Sequence, residues 1–408
     1  MKKASGVFSI ALILLLAACS VRTGLDNAQK ESFSMFHGKN IGVVANHTSV
    51  NREGIHIVDL LYANKDLNLK AILAPEHGYR GDVERGEYIA AQIDAQTGVP
   101  VYSIYGETRK PTSEMLAGLD ALIFDIQDVG ARFYTYISTM GNIMEAAAEN
   151  GVPVWILDRP NPVGRMAEGP LMRDAHVSFV GLFPILLRHG MTIGELALMF
   201  RDQGWINAAD QLELHIVRIR GWNPDKPYSK TGLPWIAPSP NIMNLNQALC
   251  YPGTCLFEGT NFSEGRGTLH PFEWIGAPWL DAEKLITELA KSAIPGIGME
   301  AVEFTPRDIP GTAMDPKFEG ELCRGIALKV TDPLHFPSLE FAVHLFTSLQ
   351  TLHPEEFRIS RPDFLAQLWG NRLLEEMTLA GKPAETILES CREERQQFLR
   401  LRENYLLY

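Results

Sequence analysis

Apolar residues along this chain fall into short continuous runs, each ending in a cluster of polar residues. Ile41–Ala45 runs into Asn46-His47, and Ala71–Ala74 into Pro75-Glu76-His77-Gly78. Ala121–Ile126, which carries Asp125, runs into Gln127-Asp128, and Pro153–Leu157 into Asp158-Arg159-Pro160-Asn161-Pro162. Continuous rather than alternating runs suit strands buried on both faces, as in a parallel sheet. Helices are expected over Asn51–Ala63, Ser113–Leu119, Thr139–Asn150 and Thr192–Gln203. Thr192 with Glu195 forms a capping-box pair, and Gly151 stands where a helix C-cap is expected. This βα alternation, over about 39–200, predicts an α/β fold with a Rossmann-like, doubly wound, mostly parallel sheet; a strand at Leu212–Ile219 falls in the stretch that follows it.

The pattern changes after residue 205. The stretch 205–278 is rich in Gly, Pro and Asn and reads as long loops, which in a compact enzyme are usually functional. A smaller α+β unit is expected beyond it, with helices at Asp281–Ser292, Ser338–Leu352 and about Ala384–Tyr405. Its strands fall near Ala301–Thr305 and Gly325–Thr331. The expected division is 39–255 for the Rossmann-like catalytic domain and 256–408 for the C-terminal domain, with a cleft between them. Residues 19–38 read as a polar tether.

Residues 1–18 read as a lipoprotein signal peptide. Lys2-Lys3 precede the apolar Phe8–Ala17, and Leu16-Ala17-Ala18-Cys19 matches a lipobox, making Cys19 the expected lipidation site. The reading is an exported protein anchored in the membrane by its N-terminal lipid, which in a Gram-negative cell means the periplasm or outer membrane. The full chain carries a formal charge of −12, and loss of Lys2 and Lys3 makes this about −14. An acidic chain without a basic stripe argues against nucleic acid as a partner. Export permits oxidation of Cys250, Cys255, Cys323 and Cys391, with Cys255–Cys323 the favoured pair.

Polar clusters at the carboxyl ends of parallel strands are where open α/β sheets bind ligands. Glu76, beside His77, is the first candidate for a general acid. Asp125, Asp128 and Glu168 are candidates for a second carboxylate, the pair that glycoside cleavage needs. An Asp125–Arg pair that merely holds the loop is the competing reading. The glycine-rich Glu258–Thr268 suits close wrapping around a hydroxyl-bearing ligand, with Arg266 as an anchor. No Gly-x-Gly-x-x-Gly follows the first strand, and Walker A, Gly-x-Ser-x-Gly and His-Glu-x-x-His sequences are missing. No cofactor and no metal is therefore expected, although His47, His77, Asp125 and Asp128 leave a metal-dependent hydrolase open.

These motifs occur together and in order: Pro75–Gly78, Asp125–Tyr136, Asp158–Pro162, Glu168–Pro170, Glu258–Thr268, Pro271–Glu273 and Gly276–Trp279. In this the chain resembles the exo-β-N-acetylmuramidase family of peptidoglycan-recycling glycoside hydrolases, from about residue 38 onward. The resemblance implies a Rossmann-like domain, a smaller C-terminal domain, and release of N-acetylmuramic acid from the non-reducing end of peptidoglycan-derived saccharides. It assigns catalysis to Glu76. The lactyl carboxylate of that sugar calls for arginine, and Arg80, Arg132, Arg159 and Arg266 are the candidates. Tyr134, Tyr136 and Trp235 can stack on sugar faces, and Asn46, Asn161, Asn261 and Glu264 complete the expected binding set. A cell-wall-binding lipoprotein without catalysis uses the same cleft and stays open.

Overall fold

The structure is a computed structural model and describes residues 21–76, 78–80, 92–106 and 108–408. Cys19 and His77 lie outside the described residues, as does the expected signal peptide.

Seven strands form the main sheet: β1 (Asn40–Ala45), β2 (Asn68–Ala74), β3 (Gln92–Ile93), β4 (Pro100–Ser103), β5 (Ala121–Asp125), β6 (Val154–Leu157) and β9 (Leu214–Val217). Their order is β3-β4-β2-β1-β5-β6-β9, parallel throughout except for β3 against β4, while β7 (Glu168–Leu171) and β8 (Leu186–Arg188) pair antiparallel outside this sheet. The chain builds outward from β1 to β4, then returns to the other side of β1 with β5. This reversal makes a doubly wound sheet whose switch point lies between β1 and β5. Alternate residues of each strand feed opposite faces. Ile41, Val43, Ile72 and Ile123 enter one apolar cluster, while Val44, Leu73, Leu122 and Phe124 enter the other.

Helices cover both faces. Ile57–Ala63 packs on the first, and Tyr136–Glu149 and Ile193–Asp202 on the second. The Thr192–Glu195 capping box forms as its sequence predicts. The helix expected from Asn51 begins only at Ile57. Asn51 instead accepts the backbone N–H groups of Glu53 and Ile55 and closes a turn.

Residues 21–38 are a correction to the expected tether. Thr23 and Asp26 form a capping box that starts the helix Gly24–Lys30, and Leu25, Ala28, Phe33 and Phe36 are buried against the sheet. A Cβ at Gly24 would overlap the Asp158 amide, so only glycine lets this helix approach the strand ends. The segment has few apolar residues, but nearly all of them face inward, which short windows conceal.

The second unit carries the antiparallel sheet β10-β12-β11, formed by Trp274–Ala277, Cys323–Val330 and Ile297–Phe304. The helix Leu245–Thr254 packs against helix Ser338–Leu352 and lies within the stretch expected to be loops. Its Asn244–Gln247 capping box was readable, but Pro252 near its end spoils the helical pattern. The long helix expected from Ala384 breaks into Ala384–Glu389 and Arg392–Arg402. All four described cysteines are buried and free, so the Cys255–Cys323 pair does not form.

The chain finally returns to the first sheet. Tyr408 Oη donates to Asp158 Oδ2 at 2.7 Å and accepts the Ile219 amide at 2.9 Å. Thr192 Oγ1 and the Gly194 amide also donate to Asp158. Burial nevertheless pushes the Asp158 carboxyl up to about 7, with the charge of Glu195 adding to it.

Tyr408→Phe strips one donor from Asp158 and the acceptor from Ile219, at an expected cost of about 1–3 kcal/mol in urea unfolding. Protonated Asp158 binds its proton more tightly in the folded chain than in the unfolded one, where the value is near ~4. The stability it adds is complete below about pH 4 and is lost as pH rises through about 7. Subtracting the Asp158→Asn unfolding profile from that of the parent should isolate this component; a flat difference between pH 4 and 8 contradicts it.

Candidate active site

Three strand mouths converge on Glu76, which stands two residues beyond β2. Tyr105, past β4, donates its hydroxyl to Glu76 Oε1 at 2.8 Å. Thr135, past β5 at the start of helix Tyr136–Glu149, donates to Oε2 at 3.0 Å. Two hydroxyls thus orient the two oxygens of Glu76.

From Glu76 a cleft opens between the two units. Its first wall carries Glu76, Thr135 and Val180, and its second Asn241, Glu258, Arg266, Thr312 and Phe364. Its floor is a row of rings set edge to face. Tyr136–Tyr134, Tyr134–Tyr251 and Tyr251–Phe272 have centroid separations of 5.1, 5.8 and 4.8 Å. Edge-to-face contact is the favoured geometry for aromatic pairs, and the row forms an apolar bed for a sugar. Burial, and then the neighbouring phenol, pushes the Tyr134 hydroxyl well above its ordinary value. Burial and the charge of Glu76 do the same to Tyr136. Both phenols therefore remain protonated donors at neutral pH.

At the far end of the row, Arg266 lies over the Phe272 ring, 5.1 Å from its centroid. Its Nε and Nη2 both donate to Glu258 Oε1, at 3.0 and 2.7 Å. Burial opposes the charge on Arg266, but Glu258 and Glu264 outweigh it and hold the guanidinium firmly protonated. Lys317 Nζ donates to Glu264 Oε2 at 2.8 Å and to two backbone carbonyls, locking this loop from behind. Cys255 also lines the cleft; burial, then the charge of Glu258, pushes its thiol well above the ordinary value and keeps it unreactive.

Of the expected site residues, the structure brings Glu76, Tyr134, Tyr136 and Arg266 to this cleft. Others serve the fold. Asp125 is fully buried and gripped by Arg159, whose Nε and Nη2 reach its two oxygens at 2.6 and 2.7 Å. Neither is available to a sugar, which is the loop-holding reading. Glu168 pairs with Arg188 at 2.7 Å and accepts the amides of Leu339 and Glu340, capping helix Ser338–Leu352. Arg132 spends its guanidinium on the carbonyls of Pro170, Ile185, Leu368 and Trp369. Arg80 pairs with Asp59 at 2.9 Å and stacks on Tyr79.

Asn161 and Asn261 bond backbone groups, the first at Val163 and Met191, the second at Arg358 and Glu356. Asn46 accepts the backbone N–H and the hydroxyl of Thr48. Asp128 accepts the Gly130 amide and lies 3.6 Å from His189, behind the cleft rather than in it. Glu264 sits one layer behind Arg266, and Trp235 bonds Ile242 and packs on Tyr228. His47 donates to Ala237 O at 2.6 Å, and burial lowers its pKa, so it is neutral. No group of three His, Cys, Asp or Glu side chains converges on a metal-sized site among the described residues.

Sequence reading missed Tyr105, Tyr251, Phe272 and Glu258. Glu258 lay within a motif already singled out, where Glu264 looked equivalent; only packing separates the acid in the cleft from the one behind it.

A cleft lined by two carboxylates and a row of aromatic rings, set on the mouths of parallel strands, fits the chemistry of a glycoside hydrolase. Comparison with known proteins places it further. The exo-β-N-acetylmuramidase NamZ N-terminal domain matches residues 41–246, and the corresponding C-terminal domain matches residues 249–408. The chain belongs to this family. It is 43% identical over 389 residues to the peptidoglycan β-N-acetylmuramidase NamZ of Bacillus subtilis (strain 168), covering 95% of this chain and 91% of that one. Two crystal structures of DUF1343 family proteins from Bacteroides fragilis NCTC 9343 share the fold at 34% identity. Their TM-scores are 0.88 and 0.78, covering 96% and 95% of this chain and 99% of each of theirs.

The placement of Glu168 carries a prediction. Glu168→Gln should cost about 3 kcal/mol, since Arg188 would lose the partner of its buried charge. Turnover per folded molecule should stay within about twofold, a factor worth only about 0.4 kcal/mol. A selective loss of kcat in a well-folded variant would return Glu168 to the active site.

Proposed function

We propose that this chain releases N-acetylmuramic acid from the non-reducing end of peptidoglycan-derived saccharides, with Glu76 as the general acid. The observation that carries this is the position of Glu76: at a strand mouth, inside the cleft, with both oxygens aligned by Tyr105 and Thr135. As the glycosidic bond opens, Glu76 gives its proton to the leaving oxygen. The aromatic row supports the sugar, and the Tyr134 and Tyr136 hydroxyls remain protonated beside it. Of the four arginines considered for the lactyl carboxylate, Arg266 is the one that lines the cleft. The lipobox at Cys19 supports export and a lipid anchor, which would hold the enzyme beside the cell wall.

A chromogenic β-N-acetylmuramide should be cleaved with chelator present, while the matching β-N-acetylglucosaminide, which lacks the lactyl group, should not. Equal cleavage of both sugars would remove the role given to that group. Glu76→Gln should fold normally and lose about 10²–10⁴-fold in turnover. A rate near that of the parent would sink the assignment.

A further inference from the structure

Glycoside cleavage needs a second group to meet the charge that develops at the anomeric carbon. Three acids that the sequence offered for this are placed elsewhere: Asp125 under Arg159, Glu168 on a helix end, and Asp128 behind the cleft. Among the described residues, the acids lining the cleft are Glu76 and Glu258. They come from different units, one beyond β2 and the other from the short 3-10 turn Cys255–Gly259. The ring row Tyr136–Tyr134–Tyr251–Phe272 forms the floor between them. Both carboxyl-bearing residues line the same cleft as these rings.

We propose that Glu258 is the second catalytic carboxylate, the base that takes a proton from the water attacking C1. The Arg266 fork onto Oε1 holds the carboxylate in a fixed orientation, and Lys317 and Glu264 brace Arg266 in turn. The step balances. The Glu76 proton passes to the glycosidic oxygen as the C1–O bond breaks. Water oxygen bonds to C1 from the opposite face, and its proton passes to Glu258. The products are the free sugar as its α-hemiacetal and the shortened saccharide with a new hydroxyl. Proton return from Glu258 to Glu76 through solvent restores the enzyme.

This assignment rests on the proposed muramidase reading, and the test separates the two. The parent, Glu76→Ala and Glu258→Ala would be compared on a β-N-acetylmuramide with a dinitrophenyl leaving group, which needs no proton, and on one with a poor leaving group. Glu258→Ala should lose about 10²–10⁴-fold on both. Added azide should restore part of its activity and yield the α-glycosyl azide. Glu76→Ala should recover on the dinitrophenyl substrate alone. With the parent, NMR should show the α-anomer as the first product.

If Glu258 merely held Arg266 in place, its loss would raise KM and lower the melting temperature, and azide would do nothing. That result, or a β-anomer formed first, overturns the assignment. Glu258→Asp guards against misfolding: it keeps a charge for Arg266, and its melting temperature should stay near that of the parent while kcat still falls. Failure of the parent to cleave any muramide removes the muramidase reading itself. Parent cleavage with an azide-indifferent Glu258→Ala removes only the role of Glu258.

Discussion

The cleft depends on one buried cation. Arg132, beyond β5, has its guanidinium bonded to four backbone carbonyls, two from the first unit and two, Leu368 and Trp369, from the end of helix Pro362–Trp369. Burial pushes its pKa down to about 9, which still leaves it charged at neutral pH. The negative end of the helix dipole and the four carbonyls replace the water it has lost. Phe364 and Leu368 on that helix line the cleft, so the arginine ties the second wall to the loop that carries Tyr134, Thr135 and Tyr136.

The two walls are built by different means. On the first, the hydroxyls of Tyr105 and Thr135 donate to the two oxygens of Glu76. On the second, Glu258, Arg266, Glu264 and Lys317 form a charged chain that holds its own geometry. Between them, aromatic rings exclude water without adding charge. The division suits the proposed reaction, in which one carboxyl gives a proton and the other takes one from water.

Much of the first unit was legible in the sequence because its strands are buried on both faces. Continuous apolar runs located β1, β2, β5 and β6, and the Thr192–Glu195 pair located a helix start. Where apolar residues were sparse but well directed, as at Leu25, Ala28, Phe33 and Phe36, the pattern misled and a folded segment read as a tether. Where proline interrupted a helix, as at Pro252, a helix read as a loop.

For the site, the sequence by itself determined which residues gather at the strand mouths, because strand ends follow from the apolar pattern and the polar clusters follow the strands. Glu76, Tyr134 and Tyr136 could be named that way, and Arg266 from the glycine-rich loop Glu258–Thr268. Only the tertiary structure decided which acids and arginines are spent inside the protein. Asp125 with Arg159, Glu168 with Arg188, and Arg132 with its carbonyls are matched to partners 20 to 237 residues away. A buried charge must find such a partner, and which charges are buried is settled by packing between segments far apart in the chain.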